Sequence, residues 1–115
     1  TRLLDTSVAG SIAHFDEIGN PQIEEQYHYI KSYSPYENVT PQDYPHIFLT
    51  CGLNDPRVQY WQPAKLAAKI RALGTGRNTL IFKTSMNSGH FGASGRYEHL
   101  RQTAEEYAFI LAHLS

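Results

Sequence analysis

Two residues in this chain have the type and the setting for proton-transfer chemistry. Asp55 ends the segment P-H-I-F-L-T-C-G-L-N-D at 45–55, and His90 ends N-S-G-H at 87–90. Each follows a short apolar run, Ile47–Cys51 in the first case and Leu80–Phe82 in the second. Histidine can take and return a proton near neutral pH. A carboxylate beside it fixes the imidazole tautomer and stabilises the imidazolium. An acid after one strand and a histidine after the next is the arrangement of two members of a catalytic triad. Taken singly, neither residue is specific: a loop aspartate is commonly a turn former and a loop histidine a surface residue. The residues alone leave both readings open.

The elements needed to hold such a pair can be read from the pattern. Ile47–Cys51 has no polar alternation and stops at Gly52, which suits a parallel strand buried on both faces. Function in open α/β sheets collects beyond the carboxyl ends of such strands. Trp61–Leu73 is predicted helical, with Leu66, Ala67, Ile70 and Leu73 on one stripe and Gly74-Thr75-Gly76 ending it. Thr79–Lys83 is the second strand. Tyr97–His113 is the final helix, with Leu100, Ala104, Tyr107, Ala108, Leu111 and Leu114 as its expected buried face. Upstream, residues 1–21 read as irregular, Val8–Ser11 being small. Pro21–Tyr33 reads as a helix opened by proline at its first position, with Glu24 and Glu25 in its first turns and Ile23, Tyr27 and Ile30 inward. The alternation implies a parallel pair joined by a crossover helix.

Composition removes several function classes. With 115 residues the chain makes one domain at most, and 41% hydrophobic residues can supply a core. A formal charge of −1 gives no reason to expect nucleic acid or an anionic membrane as partner. No apolar run is long enough to cross a bilayer and no signal-peptide pattern is visible, so the expected location is cytoplasmic. Cys51 is alone and set in an apolar strand, where an inert thiol is expected. The loop Ser88–Gly95 lacks the lysine and the strand-to-helix placement of a phosphate loop. Histidines 14, 28, 46, 90, 99 and 113 show no H-x-x-x-H or H-E-x-x-H spacing, so neither metal nor other cofactor is expected. Asn38-Val39-Thr40 is a formal glycosylation sequon that carries little weight without a secretory signal.

The third member of a triad is not in the sequence. No G-x-S-x-G is present. Ser94, in Gly92-Ala93-Ser94-Gly95, follows the histidine and lacks the strand–turn–helix setting of a nucleophile elbow. α/β-Hydrolases present Ser, Asp and His in that order along the chain, and here Asp precedes His. Two parallel strands also need neighbours to cover their edges and faces. The chain therefore reads as part of something larger. Without the rest it is expected either to supply catalytic groups to a whole enzyme or to persist as a non-catalytic fragment that self-associates through its strand edges as a homo-oligomer.

Five segments carry a family resemblance: F-D-E-I-G-N-P at 15–21, Y-I-K-S-Y-S-P-Y-E-N-V at 29–39, Y-P-H-I-F-L-T-C-G-L-N-D at 44–55, V-Q-Y-W-Q-P-A-K at 58–65 and M-N-S-G-H-F-G-A-S-G-R at 86–96. Through them the chain resembles, over nearly its whole length, the carboxyl-terminal part of oligopeptidase B in the prolyl oligopeptidase family of serine peptidases. The resemblance implies an α/β class, a carboxyl-terminal fragment of an α/β-hydrolase fold, with a peptide as substrate. It implies Asp55 and His90 as triad members and Arg57 as the residue that hydrogen-bonds a substrate carbonyl, a task suited to a guanidinium fork. In the family, cleavage after Arg or Lys rests partly on an acid–aromatic–acid–acid stretch before G-N-P. Here that stretch is His14-Phe15-Asp16-Glu17. Asp16 keeps a carboxylate able to pair with a basic side chain. His14 replaces the first acid, which puts the preference for basic residues in question. Read without the family, these acids are either solvated loop charge or part of a subsite for a cationic ligand.

Overall fold

The computed structural model describes residues 4–7, 12–92 and 95–114. Expectations on Val8–Ser11 and on Ser94 lie outside them. The chain forms two compact units, Thr1–Thr40 and Pro41–Ser115. The division falls at Thr40-Pro41, where the sequence turns into its central strand.

The first unit is more ordered than the sequence suggests. A single 3-10 turn, Ile12–His14, leads into a short helix α1, Phe15–Ile18. Gly19 ends it at φ 102°, a left-handed conformation that side chains other than glycine rarely take, and its N–H bonds the Phe15 carbonyl at 3.1 Å. Helix α2 runs Glu24–Tyr33, starting three residues later than expected. The reason is local. Asn20 Oδ1 accepts the Gln22 N–H at 2.9 Å and the Asn20 carbonyl accepts the Ile23 N–H at 3.0 Å, so Pro21 is held in a turn and not in the helix. Glu24 and Glu25 do occupy the first turn. Ile30 is buried as expected, whereas Ile23 is exposed. At the other end the Asn38 side-chain amide donates to the carbonyls of Lys31 and Ser34, both at 2.8 Å, and so caps α2. Both amide hydrogens of the sequon asparagine are engaged there.

The second unit is built on two parallel strands. β1, Ile47–Gly52, pairs with β2, Leu80–Ser85, in register Ile47↔Leu80 to Gly52↔Ser85. Between them lies α3, Trp61–Leu73, matching the sequence reading at both ends. Its Ala67 is 1% exposed, the close approach to the sheet that a small side chain allows. Side chains alternate along a strand, so the two faces separate cleanly. Ile47 lines a hollow with Ile70 of α3. Phe48, on the opposite face, stacks on Phe109 of α4, Arg96–His113, with ring centroids 5.3 Å apart. Lys83 on that face pairs with Glu105 of α4.

Two histidines fasten the amino-terminal ends of the strands. The Thr79 N–H donates to His46 Nδ1 at 2.9 Å, and His113 Nε2 meets Thr79 Oγ1 at 3.1 Å. The two imidazoles lie 4.1 Å apart.

Two expectations need correction. β1 is half-buried with Thr50 exposed, rather than buried on both faces; among the described residues the sheet has two strands, and each leaves one edge unpaired. Helix α4 turns Gln102, Glu105, Phe109 and His113 toward the unit and leaves Leu100, Tyr107, Leu111 and Leu114 exposed, the last two at 72% each. The periodic apolar stripe was real, but the contacts α4 makes here run through Phe109, His113 and Glu105. Nothing among the described residues covers the stripe. No helix among the described residues is long and apolar enough to cross a membrane.

Candidate active site

The loops after β1 and β2 are stitched to each other by backbone. The Leu53 N–H donates to the Ser85 carbonyl at 2.8 Å and the Asn54 N–H to the Ser88 carbonyl at 3.1 Å. Gly52 makes this approach possible. A Cβ there would collide with the carbonyl oxygens of Ser88 and Gly89. The second loop then turns tightly. The Gly92 N–H bonds the Gly89 carbonyl at 3.3 Å, which leaves His90 and Phe91 as the two corner residues, and Gly92 takes φ +81°.

This stitching brings Asp55 and His90 into contact. Asp55 Oδ2 lies 2.9 Å from His90 Nδ1. The other carboxylate oxygen, Oδ1, accepts the N–H groups of Arg57 at 2.8 Å and Val58 at 2.9 Å. Asp55 is therefore both a turn former, through Oδ1, and the partner of the histidine, through Oδ2.

Burial, with Asp55 only 9% exposed, pushes its carboxyl up. The hydrogen bonds from the Val58 N–H, His90 and the Arg57 N–H, with the charge of His90, outweigh it and hold the carboxyl below its ordinary value. An ionised carboxylate only accepts, so the proton of the shared bond sits on His90 Nδ1. Nε2 is then the basic nitrogen. It makes no hydrogen bond among the described residues, on a side chain that is 33% exposed. Asp55 and His90 border an open cleft of ≈ 900 Å³, which Lys83, Met86, Phe91 and Glu98 also line. In chemical terms this is an oriented imidazole with a buried counter-charge and an open basic nitrogen.

Arg57 stands two residues after Asp55, with its guanidinium carbon 5.5 Å from the centroid of the Phe91 ring. His14 and Asp16 belong to the first unit. His14 Nδ1 lies 3.3 Å from Glu17 Oε2, and Asp16 is exposed in the first turn of α1.

Sequence reasoning passed over Gly52, the backbone of Asn54 and Val58, Ser88 and Phe91. Gly52 carried a signal, since a glycine ending an apolar strand marks a close backbone approach. Ser88 carried none: its hydroxyl is buried and unpartnered among the described residues, and its carbonyl makes the useful bond.

Comparison with known proteins gives the family of the chain. Residues 3–115 match the profile of the Prolyl oligopeptidase family. Protease 2 of Moraxella lacunata is 55% identical over 111 residues, covering 96% of this chain and 16% of that protein. Dipeptidyl aminopeptidase BI of Pseudoxanthomonas mexicana is 44% identical over 114 residues, covering 99% of this chain and 16% of that protein. Among solved structures, oligopeptidase B from Leishmania major superposes with a TM-score of 0.94 at 42% identity, covering 97% of this chain and 16% of that one. The chain thus spans about a sixth of the length of these relatives, and its parallel strands and helices are part of an α/β-hydrolase fold. Sequence match and superposition cover nearly the whole chain and agree: it belongs to the prolyl oligopeptidase family of serine peptidases.

Proposed function

We propose that this chain is the carboxyl-terminal part of a peptidase catalytic domain and supplies the aspartate and histidine of a Ser-Asp-His triad. The observation that carries the reading is the 2.9 Å contact between His90 Nδ1 and a buried carboxylate. In the whole enzyme, a serine contributed by another segment attacks the peptide carbonyl. His90 Nε2 takes the hydroxyl proton as the bond forms and returns it to the departing amine. Water then hydrolyses the acyl-enzyme by the same proton path. Asp55 stays ionised throughout, holding the tautomer and stabilising the imidazolium. Arg57 hydrogen-bonds a carbonyl of the bound peptide near the scissile bond.

Cleavage after basic residues is the preference this reading carries, with Asp16 as the carboxylate that meets the basic side chain. His14 in place of an acid, together with the similarity to an enzyme named a dipeptidyl aminopeptidase, favours a second specificity in which the basic side chain is less strongly selected. A panel of peptides differing only in the residue before the scissile bond separates the two.

The test of the main reading is hydrolysis of an arginine-containing chromogenic peptide by the full-length peptidase carrying this segment. Asp55→Asn and His90→Ala are expected to lower kcat by about 10⁴-fold while leaving the fold intact. The 115-residue chain alone is expected to show no turnover, since it holds no nucleophile elbow. Wild-type rates in either variant would overturn the assignment.

A further inference from the structure

Phe91 has no part in the mechanism so far, yet it touches two groups that do. Its ring meets the His90 imidazole edge to face, with centroids 5.2 Å apart and planes at 79°. On its other contact, the Arg57 guanidinium carbon sits 5.5 Å from the ring centroid. The ring is also 86% exposed, so core packing does not explain a large apolar side chain here. Its backbone is well fixed. Phe91 and His90 are the adjacent corners of the Gly89–Gly92 turn, and the Asn54–Ser88 backbone bond ties that turn to the loop of Asp55. A guanidinium on a long stem has many rotamers, and an aromatic face restricts them by cation–π attraction.

We propose that Phe91 is a positioning residue that holds Arg57 against the histidine turn. The group that grips the substrate backbone then keeps a fixed distance from the group that moves the proton. This rests on the reading of Arg57 and His90 given above. Phe91 acts through those two residues, and the quality that matters is its aromatic face.

The experiment is a double-mutant cycle in the full-length peptidase, reading kcat and KM on a peptide substrate. Phe91→Leu keeps an apolar side chain of similar bulk and removes the face. It is expected to lower kcat/KM roughly fivefold, the scale of one cation–π contact, through KM rather than kcat. The pH at which kcat/KM rises is expected to stay where it is in the wild type. Phe91→Trp is expected to restore most of the loss. In an Arg57→Met background, Phe91→Leu is expected to add nothing. The inference is overturned if Phe91→Leu matches the wild type, if its loss multiplies with that of Arg57→Met, or if Phe91→Trp is as impaired as Phe91→Leu. If Arg57→Met itself costs nothing, the role given to Arg57 falls and the inference falls with it. A damaging Arg57→Met beside a silent Phe91→Leu overturns the inference about Phe91 alone.

Discussion

At the scale of single residues, the carboxylate of Asp55 joins stability to the chemistry proposed for it. Its carboxyl is held below its ordinary value in the folded chain, so its contribution to stability is present above the unfolded value, about pH 3.9. That contribution is lost as pH falls through the lower, folded value. Urea midpoints of wild type and Asp55→Asn are therefore expected to differ at neutral pH and to converge well below pH 4 (about 3.9 being the ordinary aspartate value). A gap that stayed constant through the acid range would contradict the ionised, multiply bonded carboxylate. The sequence showed that Asp55 and His90 follow successive strands, as they do in the structure. It could not show the two backbone donors, because an N–H is present at every non-proline position and only the turn after Asp55 aims those of Arg57 and Val58 at Oδ1.

At the scale of elements, the site depends on two strand ends that approach each other without side chains in the way. Gly52→Ala puts a Cβ against the Ser88 and Gly89 carbonyl oxygens, and backbone cannot move aside as a flexible side chain can. The substitution is expected to cost about 1–3 kcal/mol of stability, the range for overpacking a fixed site, and to lower activity by separating the loops. Thermal unfolding and peptide hydrolysis of the full-length variant measure the two effects, and an alanine variant equal to wild type in both would contradict the stitching. The long elements were legible for a physical reason. Trp61–Leu73 has a periodic apolar stripe and a glycine stop, and Ile47–Cys51 is an unbroken apolar run. The start of α2 was not legible, because Pro21 fits the first turn of a helix as well as the Asn20 turn, and hydrogen bonds from Gln22 and Ile23 decide between them. The inward face of α4 was misread because apolar periodicity reports which face seeks cover, and the described residues do not supply that cover.

At the scale of the whole molecule, the strand edges left unpaired among the described residues and the exposed stripe of Leu100, Tyr107, Leu111 and Leu114 have a consequence for the isolated chain. Uncovered apolar surface and open edges favour pairing with another copy. The 115-residue chain is expected to self-associate in sedimentation velocity, and Leu111→Glu is expected to shift it toward monomer. A clean monomer at high concentration would contradict this. The stripe left uncovered among the described residues and the absence of a G-x-S-x-G motif both accord with a chain that spans about a sixth of its relatives' length. The most direct measurement of the central claim is the rate at which a fluorophosphonate labels the full-length protein, since labelling reads activation of the serine without regard to peptide preference. Labelling is predicted to be fast in the wild type and to fall steeply in both His90→Ala and Asp55→Asn. Equal labelling rates in all three would show that this imidazole and this carboxylate do not activate the nucleophile.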